Sequence, residues 1–188
     1  MGQITIRELE KLDFFEGIPQ DILQNLLNES TVASYKKKEV IFHSRTRTEF
    51  VYFVLSGEVM LYNLTKHGNR KVIFILGKGR LLNQSIVSKK PNALFGEAVC
   101  PVQALKIPEG VFLRLMEQCH ELTYSILREY ERNLWRMGHQ LKNTTGNMQT
   151  ERKIAAKLWK LGRDFGVETE EGVMVDIDLT ITLMADLV

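Results

Sequence analysis

The sequence has only two cysteines and four prolines in 188 residues, and no apolar run near the roughly 20 residues that a membrane span needs. Cys100 and Cys119 are too few for a disulfide scaffold and form no CxxC pair, so they read as free thiols. No cysteine precedes Cys100, which removes the thiolates an N-terminal iron–sulfur cluster would require. The apolar stretches at 51–55 and 72–76 are strand-sized, and polar and charged residues stand where a secretory signal would be apolar. A cytoplasmic protein without membrane attachment is therefore expected. Positive charge is missing from one region: residues 164–188 hold seven Asp and Glu and no Lys or Arg. Such a segment cannot grip a phosphate backbone by itself. The preceding residues 120–163 carry nine basic and four acidic groups, and residues 1–119 carry 16 and 12.

What is present is a chain of 44% apolar content, long enough to bury a core in one domain with a smaller appendage. Leu9, Leu12, Phe14, Phe15, Ile18, Ile22, Leu23, Leu26 and Leu27 fit two short helices broken at Gly17-Ile18-Pro19 and packed as a lid. From residue 30 the period shortens. Strands are expected at 31–35, 40–42, 50–55, 59–64, 71–76, 93–99 and 102–107, separated by turns such as Leu55-Ser56-Gly57-Glu58 and Lys66-His67-Gly68-Asn69. Regular short strands of this kind imply an antiparallel sandwich or barrel.

After Pro108 the pattern is helical. Thr123, Leu127, Tyr130, Leu134, Met137, Leu141, Thr144 and Met148 alternate spacings of four and three, the a/d seam of a two-stranded coiled coil. Self-association is expected through Leu127, Tyr130, Leu134, Met137 and Leu141. The run 143–147 is rich in helix-weakening residues and reads as a hinge. A further helix follows, with Thr150 as N-cap, Glu151 in its first turn, an apolar face of Ile154, Ala155, Leu158 and Leu161, and an end at Gly162. A strand at 173–177 comes next, then a helix capped by Thr180 and carrying Leu183, Met184, Leu187 and Val188. Because that apolar face stops in mid-pattern, the complete protein is expected to continue beyond it.

Five short stretches in this order carry a resemblance. They are Leu12-Asp13-Phe14-Phe15-Glu16-Gly17-Ile18-Pro19, Tyr52-Phe53-Val54-Leu55-Ser56-Gly57-Glu58-Val59, Leu105-Lys106-Ile107-Pro108-Glu109, Glu151-Arg152-Lys153-Ile154-Ala155, and Leu179-Thr180 with Ala185-Asp186-Leu187. The chain resembles the Crp/Fnr transcription regulators over nearly its whole length. The resemblance implies an α+β architecture: residues 1–118 as N-terminal helices and an antiparallel, jelly-roll-like β-roll sensing a small molecule, 119–147 as a dimerisation helix, and 148–188 as the first part of a winged helix-turn-helix. It implies no enzyme activity. It further implies a homodimer on a palindromic DNA site, with RNA polymerase as a partner the family allows and no membrane partner. The base-reading helix lies outside this sequence, so Thr180 is the one DNA-contact candidate, beside its capping role.

The cyclic-nucleotide branch of that family uses a cassette with a Gly-Glu pair and, later, an Arg after Pro. Here the matching run is Gly79-Arg80-Leu81-Leu82-Asn83-Gln84 and the later step is Pro91-Asn92. Losing the guanidinium removes the natural partner of a cyclic phosphate, so cyclic AMP and cyclic GMP are not expected as ligands. Phe95-Gly96-Glu97 imitates the cassette but falls in the following strand. Leu81, Leu82, Asn83, Gln84, Asn92, Ala93, Tyr130 and His139 are the candidate effector residues, suited to an uncharged or weakly anionic organic molecule. An axial haem ligand would come from His139, with His43, His67, His120 and the two cysteines as other donors. A haem sensor and a β-roll module of the kinase or channel type remain as alternatives. A metal-binding cupin is disfavoured because His43 and His67 lack metal-ligand spacing.

Overall fold

In the computed structural model, residues 4–144 and 149–188 are described, with nothing said of the side chains of 142–144. The expected hinge at 143–147 and the seam residue Met148 thus fall largely outside the described residues.

The chain opens with α1 (Ile6–Glu10), a 3-10 turn (Asp13–Phe15) and α2 (Gln20–Asn28). The Thr5 hydroxyl caps α1 while Glu8 reaches back to the Thr5 backbone, a reciprocal box that satisfies two otherwise orphaned donors. Seven strands follow: β1 (Thr31–Tyr35), β2 (Val40–Phe42), β3 (Phe50–Ser56), β4 (Val59–Leu64), β5 (Arg70–Leu76), β6 (Phe95–Ala98) and β7 (Val102–Pro108). They form two antiparallel sheets, ordered β1-β7-β3 and β2-β6-β4-β5.

Alternation along the strands decides what each sheet face meets. In β3, Val51 and Phe53 point to the N-terminal helices, where they join Leu9, Phe14, Phe15 and Phe112, while Tyr52 and Val54 point between the sheets. β7 repeats the pattern, with Leu105 and Ile107 on the helix side and Val102 and Ala104 on the inner side. The two sheets thus close over an inner core of Phe42, Val59, Leu61, Phe74 and Leu76. Gly57 turns β3 into β4 with φ +78°, and a Cβ there would lie 2.4 Å from the Pro101 carbonyl oxygen, so only glycine fits.

α3 (Glu109–Gln118) packs Phe112 and Leu115 on the helix-side core, and α4 (His120–Thr144) leaves it after a break at extended Cys119. α5 (Thr150–Phe165), β8 (Gly166–Thr169), β9 (Gly172–Val175) and α6 (Ile181–Leu187) complete the chain. Four expectations need correction here. Thr150 is the first helical residue, not the cap, which falls to Gln149 without a side-chain bond. The helix runs past Gly162 to Phe165, because Leu161 and Phe165 pack on the roll and Asp164 is held by Arg136. The strand expected at 173–177 is Gly172–Val175, paired with the unforeseen β8 in a hairpin. Leu161, Leu183 and Leu187 then dock on Met60, Tyr62, Val72 and Ile75, the outer face of β4 and β5. The strand expected at 93–99 shortens to Phe95–Ala98.

Candidate effector site

The segment after β5 is where the cassette resemblance fell. Gly79, at φ +79°, donates its N–H to the Val54 carbonyl at 2.7 Å, and the Val54 N–H donates to the Arg80 carbonyl at 3.0 Å. The Leu82 N–H donates to the Tyr52 carbonyl at 2.9 Å, so residues 79–82 run beside β3 as a short extra strand. Alternation sends Leu81 into the helix-side core and Leu82 between the sheets.

Asn83 extends this pairing with its side chain. Its Oδ1 accepts from the Tyr52 N–H at 2.8 Å, and its Nδ2 donates to the Phe50 carbonyl at 2.9 Å. Gln84 closes the loop that follows: its Oε1 accepts from the Ala93 and Leu94 N–H groups at 3.1 and 3.2 Å, and its Nε2 donates to the Leu82 carbonyl. Asn92 is anchored by its backbone, donating to the Thr46 carbonyl and accepting from the Arg45 N–H. Its side chain is 3% exposed, yet its Nδ2 has no hydrogen-bond partner among the described residues. Ala93 is exposed at the rim.

Tyr130 reaches this segment from α4. It packs on the helix-side core that includes Leu81 and Ile86, and burial pushes its phenol up to about 12, with the Ile86 backbone pulling the other way. Leu81, Leu82, Asn83, Gln84, Asn92, Ala93 and Tyr130 therefore belong to one region. His139 does not join them. It lies nine residues further along α4, about 13 Å at 1.5 Å per residue, with its ring against Trp135 and its Nδ1 3.1 Å from the Trp135 carbonyl oxygen.

An ionic link that sequence reasoning missed ties the same loop to α4. Arg80 lies 3.5 Å from Glu129, whose side chain is buried, and 3.5 Å from Asp13. Glu129 flanks the heptad seam, where a charged residue reads as solvated, yet it is buried, with Arg132 of the same helix 3.7 Å away as a second cation. Phe95-Gly96-Glu97 is strand, as expected, and the buried Glu97 carboxylate accepts from Arg70 at 2.8 Å and from the Tyr62 hydroxyl at 3.1 Å.

Along the seam, Leu127, Leu134, Met137 and Leu141 are exposed, Leu134 by 72%. Thr123 instead donates its hydroxyl to the Met116 carbonyl, and Tyr130 turns partly inward. Thr180 accepts from the Leu183 N–H at 3.1 Å as the cap of α6. Among the described residues, no group of three His, Cys, Asp or Glu is placed to hold a metal, and no helix is long and apolar enough to cross a membrane.

Residues 32–119 match the cyclic nucleotide-binding domain family. The chain is 22% identical over 187 residues to the HTH-type transcriptional regulator ArcR of Staphylococcus haemolyticus, covering 95% of this chain and 78% of that one. It is 23% identical over 158 residues to the global nitrogen regulator of Nostoc sp., covering 82% and 70%. The likeness is to cyclic nucleotide-binding domains over residues 32–119 and to regulators of transcription over most of the chain. Among solved structures of this fold, FixK2 from Bradyrhizobium japonicum aligns with a TM-score of 0.70 at 19% identity, covering 84% of this chain and 76% of that one. CLP, described as a c-di-GMP responsive global regulator of Xanthomonas campestris, aligns with a TM-score of 0.73 at 13% identity, covering 90% and 84%. Both of these curated relatives are named as regulators.

Proposed function

We propose that this chain belongs to a Crp/Fnr-type transcription regulator, an effector-responsive, DNA-binding homodimer of the cytoplasm whose ligand is a small organic molecule other than a cyclic nucleotide. The observation that carries the reading is Asn92. It stands where the cyclic-nucleotide branch has a phosphate-binding Arg, and it offers a buried, unpartnered amide donor in place of a cation. A neutral donor suits a carbonyl or hydroxyl acceptor; it does not neutralise a cyclic phosphate. Asn83 and Gln84 are engaged with the backbone in this conformation, so Asn92 and Tyr130 are the groups through which an effector acts. Ala93, exposed next to Asn92, is the apolar neighbour open to it, while Leu81 and Leu82 anchor the segment in the two cores.

The effector shifts a population. Tyr130 joins the loop to α4, and repacking there alters how two copies of α4 meet along Leu127, Leu134, Met137 and Leu141, which reorients the DNA-binding heads on a palindromic site. Calorimetry and thermal denaturation with cyclic AMP and cyclic GMP test the ligand class. Saturation at 100-fold above a dissociation constant would stabilise the fold by about 2.7 kcal/mol. The expected result is a melting shift below about 1 °C at millimolar nucleotide; micromolar binding of either nucleotide overturns the reading.

A further inference from the structure

Away from the cassette loop, a cavity of about 440 Å³ opens between the second half of α4 and α5. Its walls hold both tryptophans of the chain, Trp135 and Trp159, each more than half exposed. The Arg163 guanidinium lies 6.0 Å from the Trp135 ring and 5.4 Å from the Trp159 ring, so one cation spans the two indoles. Lys153, Lys157 and Lys160 line the same space, and among the described residues no Asp or Glu does. The neighbouring carboxylate, Asp164, is occupied by Arg136 and Arg163, and the three lysines form no ion pair among the described residues.

This arrangement is unfavourable to the folded chain by itself. Burial pushes the Lys157 and Lys160 ammonium groups down to about 8, with Lys71 adding to the effect on Lys157, and Arg136 and Lys157 adding to it on Lys160 against an opposing pull from Asp164. Aromatic faces beside partly desolvated cations without ion pairs suit an occupant that is flat and apolar over most of its surface and negative at one end. We infer that this cavity binds an aromatic carboxylate, its ring against Trp135 and Trp159 and its anionic end toward Lys157 and Lys160. His139, stacked 3.8 Å from Trp135, widens the aromatic wall. Because one wall is α4 and the other α5, the occupant braces the long helix against the head, whatever the cassette loop binds.

Trp135 and Trp159 being the only tryptophans, their emission reports this cavity directly. Anilinonaphthalenesulfonate, excited by energy transfer from the indoles, is expected to bind saturably at one site per chain with a dissociation constant on the order of 10–100 µM. Naphthoate should displace it, and uncharged naphthamide should need at least about tenfold more. Lys157→Gln combined with Lys160→Gln should weaken the probe about tenfold with an unchanged circular dichroism spectrum. Trp159→Phe should keep binding while losing part of the transfer, which guards against a lysine variant that misfolds. The inference is overturned by unsaturable transfer, by equal displacement with naphthamide or inorganic phosphate, or by unchanged affinity in the lysine variant. It is likewise overturned if tryptophan emission shifts with protein concentration alone and the probe is then excluded, which would assign the cavity to a second copy of the chain.

Discussion

Asn83 and Asn92 are both buried amides in the segment after β5, yet only Asn83 has its donor and acceptor matched by backbone groups of β3. Removing the Asn83 amide strands the Tyr52 N–H and the Phe50 carbonyl, at a cost of about 1–3 kcal/mol. Asn83→Ala is therefore expected to lower the urea midpoint clearly, and Asn92→Ala much less, since the Nδ2 of Asn92 has no partner to lose. Equal losses in the two variants would contradict this assignment. Lys160 gives the pH counterpart. Its folded value of about 8 lies below the ordinary 10.5, so between those values the unfolded chain holds more protons and stability rises with pH. Lys160→Met should flatten that rise and, at neutral pH, lift the melting temperature by about 2–4 °C, the size of a ~1 kcal/mol gain after allowing for partial exposure. The same residue would then cost stability while serving a ligand, the usual tension at binding sites.

At the level of elements, α4 presents two different faces. Ile126 is buried in the helix-side core and Tyr130 packs against it, whereas Leu127, Leu134, Met137 and Leu141 face outward. Charges placed on the outward stripe should leave the protomer's own core alone. Leu127→Glu with Leu134→Glu is expected to turn a sedimenting dimer into a monomer with an unaltered far-ultraviolet spectrum; a dimer that persists at micromolar concentration would remove α4 as the interface. α6 depends on its cap: Thr180→Ala should destabilise it by about 1 kcal/mol, seen as faster amide exchange confined to residues 181–187. The misplaced cap at Thr150 shows the limit of such signals. Ser, Thr, Asn and Asp read as caps from composition, but Thr150 already lies within the helix, and Gln149 precedes it without a side-chain bond.

Over the whole molecule, the acidic final segment meets the basic remainder of the chain. Asp178 pairs with Lys37 beside the roll and Asp164 with Arg136 on α4, so part of the charge asymmetry along the sequence goes into holding the C-terminal elements against the roll and α4. Beneath those pairs, Leu183 and Leu187 bury themselves on β4 and β5. Leu183→Ala should cost about 2–4 kcal/mol of docking and local packing. The expected readout is proteolysis or amide exchange rising in α6 and the β8–β9 hairpin while the β-roll stays protected. Exchange rising evenly across the chain would show that head and roll unfold as one unit.

Strand alternation, the long helix after residue 119 and the Thr180 cap were legible in the sequence because each follows from local periodicity and nearest-neighbour chemistry. β1, β2 and β4 accordingly have the residues expected of them. Which charges become buried was decided by packing alone. Glu129 and Arg80 look solvated in isolation and pair only because the cassette loop folds against α4, and Lys157 and Lys160 come beside two indoles only because α5 lies across α4. Such juxtapositions join residues far apart in the chain, and no spacing rule reaches across that distance.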